Sequence, residues 1–138
     1  MAATVIGMLG HCTEAEDIGQ ETFVRFYKSL KTFRGDSSIS TFLTRIAINL
    51  SLNEIKSRQR RRRHISDNSD EGLDNLPEKA VSQNKNETKE MVNWAIQKLE
   101  PKFRSVIVLR LILGYTSQET AKLLKLPIGT VLSRLARA

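Results

Sequence analysis

The strongest constraint on this chain is an abrupt change of character between Ser66 and about Thr88. On either side, apolar residues recur every three or four positions, the period of amphipathic helices. Between them the chain runs through Asp, Asn, Ser, Glu and Lys, with Gly72, Pro77 and few large apolar side chains. Such a stretch has too little apolar surface to offset the entropy of ordering itself, so it reads as an acidic flexible linker over 66–88. It divides 138 residues into two segments, each below the ~70 residues at which a core stabilises more than marginally. The expected fold is all-α, with two small helical modules at 1–65 and 89–138.

The first module opens on Thr13-Glu14-Ala15-Glu16, which has the spacing of a capping box and predicts a helix running to about Phe33. Ala15, Ile18, Thr22, Phe26, Leu30 and Phe33 form its expected buried stripe, widened by Phe23 and Tyr27. Asp17, Gln20, Glu21, Val24 and Lys28 fall on the other side. Phe33 to Ser38 reads as a loop, because Gly35 permits positive φ while Asp36 and the serines can bond nearby backbone and cap the next helix. From Ile39 a second helix buries Ile39, Phe42, Leu43, Ile46, Leu50 and Ile55. Thr41, Arg45, Asn49, Asn53, Lys56 and Arg60 share another face, which carries donors and positive charge. Between Lys56 and Arg63 six of eight residues are basic. A solvated helix end complementing the dipole would account for some of this. Four successive arginines repel one another, however, and a polyphosphate partner accounts for the run better.

In the second module Val92, Ala95, Ile96 and Leu99 make a helical stripe that breaks at Glu100-Pro101. Phe103, Val106, Ile107, Arg110, Leu111 and Leu113 continue in a helix that stops at Gly114. Trp94 reads as a packing residue, with ligand stacking as the alternative. Thr116-Ser117-Gln118-Glu119 is a second capping box, and a turn at Lys125-Leu126-Pro127 leads to a last helix from Ile128 to Ala138. This is helix-turn-helix spacing, with a plain helical hairpin as the alternative. Ala121 is small at the crossing, Leu126 plugs the turn, and Val131 and Leu135 anchor the second helix. Thr130, Ser133, Arg134 and Arg137 are left outward, suited to phosphates and base edges.

Charge supports that direction: 22 Lys and Arg against 15 Asp and Glu give +7, a balance that favours polyanions. Cys12 is the single cysteine, so no internal disulfide forms, and with His11 it offers too few ligands for zinc. No catalytic residue, metal site or cofactor is expected, because neither clustered carboxylates nor an activated nucleophile occurs, and His11-Cys12 reads as a surface pair. No stretch approaches the ~18 apolar residues of a membrane span, and the N-terminus lacks the pattern of a secretory signal. A cytoplasmic protein without membrane insertion is expected.

The order of motifs resembles the extracytoplasmic-function (ECF) sigma factors of bacterial RNA polymerase. The resemblance rests on Ala15-Glu16-Asp17-Ile18-Gly19-Gln20-Glu21-Thr22-Phe23, on Phe33-Arg34-Gly35-Asp36-Ser37-Ser38, on Thr41 to Asn49, and on Leu126 to Leu135. It implies a factor that binds core RNA polymerase and directs promoter recognition and melting, and that is not itself an enzyme. Asp17, Gln20 and Glu21 match the clamp-docking face. Phe33, Arg34, Gly35, Asp36 and Ser37 match the loop that pockets a flipped base of the minus-ten element; Arg45, Asn49, Asn53, Lys56 and Arg60 continue that DNA face. Arg110, Pro127, Thr130, Ser133, Arg134 and Arg137 would meet the minus-thirty-five element. The family also implies an anti-sigma factor as partner, and a linker whose Asp67, Asp70, Glu71 and Asp74 mimic nucleic acid in the polymerase channel.

There are departures from the family pattern. Only Val5 to Leu9 represents the helix that precedes Cys12, so the start of region two is expected to be missing. Phe42 stands where the family usually has Trp, Leu132 and Ala136 replace residues that are often polar or larger, and Lys125 occupies a turn position usually given to Gly. In a left-handed conformation Lys125 would cost about 1 kcal/mol. The rival reading is a free-standing helix-turn-helix transcriptional regulator, which leaves Asp17 to Asn49 without a task. A nuclease or recombinase would need the metal carboxylates or the nucleophile that the chain lacks.

Overall fold

The structure, a computed structural model, describes residues 1–66 and 85–138. Among the described residues seven helices follow in order: α1 (Ala2–Leu9), α2 (Thr13–Ser29), α3 (Ile39–Ser66), α4 (Lys85–Lys98), α5 (Pro101–Ile107), α6 (Ser117–Leu124) and α7 (Ile128–Arg137). Helix α4 begins at Lys85, earlier than the expected 89. The rest of the expected linker, with Asp67, Asp70, Glu71 and Asp74, lies outside the described residues.

Local chemistry explains most element ends. Glu100 is extended and Pro101 takes the first helical position of α5, where its missing N–H leaves no donor unpaired. A single 3₁₀ turn, Leu30–Thr32, closes α2, and Gly35 follows at φ 74°. Ser38 Oγ accepts the Thr41 amide at 3.1 Å and caps α3. The capping box at Thr116 forms in full: Glu119 N–H donates to the Thr116 hydroxyl at 3.2 Å, and Thr116 N–H donates to Glu119 Oε2 at 2.7 Å. The one expected at Thr13 does not. There Cys12 is the extended residue before α2 and Thr13 is already helical, so the hydroxyl sits one position too late to cap.

α5 runs on as a π turn, Val108–Ile112, in which Leu113 N–H reaches back to Val108 O at 3.0 Å. The helix-turn-helix of α6 and α7 closes on Lys125 in the left-handed conformation, at φ 53° and ψ 48°. The Leu126 amide bonds Ala121 O at 2.9 Å. Val106, Ala121 and Val131 make the centre of this unit, with Leu124, Leu126 and Leu135 against it.

The two halves are packed against each other. Val5, Met8 and Leu9 of α1 share one core with Ala47, Ile48 and Ile55 of α3, and also with Ile96 of α4, Val108 and Leu109 of the π turn, and Leu123 of α6. Gly7 makes this possible: a Cβ there would lie 3.0 Å from Val108 Cγ2, so any larger residue would hold α1 off the second half. Polar contacts reinforce the joint. Gln97 Nε2 donates to Gly7 O at 2.9 Å, Arg104 Nη1 to Met8 O at 2.8 Å, and the Tyr115 hydroxyl to Thr44 Oγ1 at 3.3 Å. Arg104 also donates to Gln97 O and Leu99 O, so one guanidinium ties the carbonyl ends of α1 and α4.

Some expected core positions are not core. Phe23 and Tyr27 are 52% and 76% exposed; among the described residues nothing packs over that side of α2, whereas Ala15 and Thr22 on the adjoining stripe are buried. Val92, Ala95 and Trp94 are likewise exposed on α4, which inserts only Ile96 fully.

Candidate nucleic-acid interface

Three surfaces carry the residues singled out in the sequence. The first lies where α2 hands over to α3. Thr32, Phe33, Arg34, Asp36, Ser37, Phe42 and Arg45 surround an open hollow of about 210 Å3. Its floor is aromatic: the Phe33 and Phe42 rings meet edge to face at 5.1 Å, and Phe26 lies 6.0 Å from Phe42 on the far side. Phe42 thus supplies the ring expected at a tryptophan position. Arg34 and Asp36 are exposed at the rim, and Gly35 makes the turn beside it without lining it. Arg45 is half-buried, and its Nε has no hydrogen-bond partner among the described residues.

From that hollow a polar face runs along α3. Asn49, Asn53, Lys56 and Arg60 are all exposed and follow Arg45 at helical spacing. At 1.5 Å per residue the row from 45 to 60 extends about 22 Å. Glu54 lies nearby but is already engaged by Arg58 at 3.2 Å and Arg61 at 2.9 Å. Arg58 also reaches Glu14 at 3.4 Å and Cys12 Sγ at 3.2 Å. Burial pulls the Arg58 pKa down, but the Cys12 thiol and the two carboxylates outweigh it and leave the guanidinium above its ordinary value. Glu14 is held below its ordinary value by its own backbone amide first, then by Cys12 and Arg58. Arg58 and Arg61 are therefore structural, while Arg60, Arg62 and Arg63 have no carboxylate within ion-pair distance among the described residues.

The second surface is on α7. Thr130, Ser133, Arg134 and Arg137 come together around a hollow of about 320 Å3, completed by Gly129 and by Lys102 and Phe103 of α5. The sequence reading missed Lys102 and Phe103; Phe103 has a helix-core position in the pattern, and only the packing of α5 against α7 brings its flank to this hollow. Pro127 is the residue before α7 and stays outside it. Arg110 is also outside: its Nη1 donates to Tyr115 O, within the turn that leads to α6. Leu132 projects from α7 at 50% exposure.

The third surface is the outer side of α2, where Asp17, Gln20 and Glu21 are exposed together. Glu21 pairs with Arg25 at 2.9 Å. Among the described residues no group of three or more His, Cys, Asp or Glu side chains is placed to hold a metal ion, and no helix is long and apolar enough to cross a membrane.

The sigma-70 region 2 family model matches residues 2–61, and the sigma-70 region 4 model matches residues 90–138. The chain is 33% identical over 144 aligned positions to the RNA polymerase sigma-H factor of Pseudomonas aeruginosa, covering 97% of this chain and 74% of that protein. It is 35% identical over 142 positions to the ECF RNA polymerase sigma factor SigW of Bacillus subtilis, covering 94% and 74%. Among solved structures it superposes on the sigma factor RpoE of Bartonella quintana, in complex with the anti-sigma factor NepR, with a TM-score of 0.75 at 22% identity over 99% of this chain and 82% of that one. CnrH, in complex with the cytosolic domain of CnrY, gives a TM-score of 0.63 at 26% identity over 99% and 72%.

Proposed function

The chain belongs to the ECF sigma factors of bacterial RNA polymerase, and we propose that its three surfaces divide the work of binding core polymerase and directing promoter recognition and melting. Asp17, Gln20 and Glu21 on α2 dock on the polymerase clamp. The hollow formed by Phe33, Arg34, Asp36, Ser37 and Phe42, with Gly35 shaping its loop, takes a flipped base of the minus-ten element. Arg45, Asn49, Asn53, Lys56 and Arg60 track the strand and its duplex edge. Extruding a base costs a few kcal/mol, which the aromatic floor and the cationic row offset.

Thr130, Ser133, Arg134 and Arg137 read the minus-thirty-five element as intact duplex, with Lys102 as an added phosphate contact. Pro127 sets the start of that helix, and Arg110 supports it by holding the Tyr115 turn. The factor works in the cytoplasm beside the polymerase, which performs the nucleotide chemistry, and an anti-sigma factor is its regulatory partner.

The observation that carries this reading is the continuity of an aromatic hollow with an exposed polar and cationic row beside which Glu54 is already paired. Run-off transcription with core polymerase and a panel of promoter DNAs tests it. Promoter-specific transcripts are expected only when the chain is added; co-purification with DNA but never with core polymerase would favour a free-standing regulator.

A further inference from the structure

A fourth surface belongs to none of these. Where the basic end of α3 passes the α4–α5 corner, the two halves enclose an open groove of about 580 Å3. Arg58, Gln59 and Arg62 come from α3, and Trp94, Lys98 and Arg104 from the second half. The one acid among its described lining residues, Glu100, is turned to Lys102 at 3.1 Å. Arg62 and Lys98 have no carboxylate within ion-pair distance among the described residues.

Trp94 was expected to pack, yet it is 41% exposed. The Lys98 ammonium lies 5.3 Å from its ring centroid. Arg104, only 9% exposed, has an Nε without a hydrogen-bond partner among the described residues. Its guanidinium is pushed below its ordinary pKa by burial and by the neighbouring Arg58. The groove thus combines crowded positive charge with a half-open indole, and a bound anion would relieve the first while a planar ring would cover the second.

We propose that this groove binds a phosphorylated nucleobase, the base stacked on Trp94 and its phosphates held between Lys98 and Arg62. Two sources share that chemistry, a free nucleotide and one residue of a single strand. The site lies apart from the hollow at Phe33 and the α7 face and does not depend on their assignment. Because it spans both halves, its occupant also stabilises their packing.

Trp94 is the single tryptophan, so its emission reports the groove directly. The full chain is titrated with ATP, with a short oligodeoxyadenylate, and with inorganic tripolyphosphate as a base-free probe. Saturable quenching by ATP, by the oligonucleotide or by both supports the site, and the pattern identifies the source. Affinity should fall by about tenfold or more in Lys98→Ala and in Arg62→Ala/Lys98→Ala, whose exposed side chains are not needed for folding. Lys28→Ala, an exposed cation on α2 outside the groove lining, should quench like the parent. The proposal is overturned if neither ligand quenches saturably, if quenching survives both variants unchanged, or if tripolyphosphate displaces ATP as well as ATP itself binds.

Discussion

The contact of Gly7 with Val108 is where the joint between the two halves can be measured. A Cβ at Gly7 would sit 3.0 and 3.1 Å from the two Val108 methyls, against an optimum of about 3.5–4.0 Å between carbons. Gly7→Ala gains about 0.8–1.0 kcal/mol of helix propensity in α1 and loses about 1–3 kcal/mol to overpacking, for a net loss of about 0–2 kcal/mol. Val108→Ala removes two methyls from a fully buried side chain, about 1.6 kcal/mol of transfer energy and about 2–3 kcal/mol once the cavity is included. In the double variant the methyl added at position 7 enters the vacated space, so the clash disappears and the helix gain remains. The pair should therefore be less destabilising than the sum of the singles by about 1–3 kcal/mol. Urea unfolding of the full chain, followed by far-ultraviolet circular dichroism and by Trp94 emission, measures all four corners of the cycle. Singles that add to within about 0.5 kcal/mol would refute the shared core, as would Trp94 unfolding separately from the bulk helix signal.

Lys125→Gly should stabilise the chain by about 1 kcal/mol, because the residue is held at φ 53°, where a side chain is strained and glycine is not; a lower thermal midpoint would contradict this. Arg104→Met should destabilise by about 3 kcal/mol, since it leaves the carbonyls of Met8, Gln97 and Leu99 without their shared donor; denaturant titration measures it. Promoter DNA binding should weaken steeply with salt if Lys56, Arg60 and Arg63 displace counterions as proposed, and a flat response between low and moderate salt would count against the cationic row.

Helical periodicity exposed the all-α architecture and the helix-turn-helix, since Ala121, Leu126, Val131 and Leu135 occupy positions whose sizes only that turn explains. Even the strained Lys125 was legible, because its place after α6 demands a left-handed residue. Periodicity says which residues share a face, and it does not say what covers that face. Phe23 and Tyr27 therefore read as core and are exposed, and Trp94 read as packing and stands half open. The union of the two halves was hidden for the same reason: Ile96, Leu109 and Leu123 look like the core of a separate unit, and nothing local shows that Val5 and Met8 complete it. Individual candidate residues could be placed on their own helices, but Lys102 beside α7 and Lys98 beside α3 depend on tertiary placement.

The division of labour between α3 and α7 is tested most directly with one core enzyme and two templates. Arg137→Ala would remove the proposed duplex contact, of a kind that typically contributes about 1–3 kcal/mol, so initiation on a fully duplex promoter should fall about 5-fold to 140-fold. The same variant should retain activity on a template carrying a pre-melted bubble and no minus-thirty-five element. Asn49→Ala should instead impair capture of the single strand in that bubble while leaving closed-complex formation on duplex DNA nearly intact. If both variants fold and lose activity equally on both templates, upstream recognition and strand capture do not reside on separate surfaces, and the account is wrong.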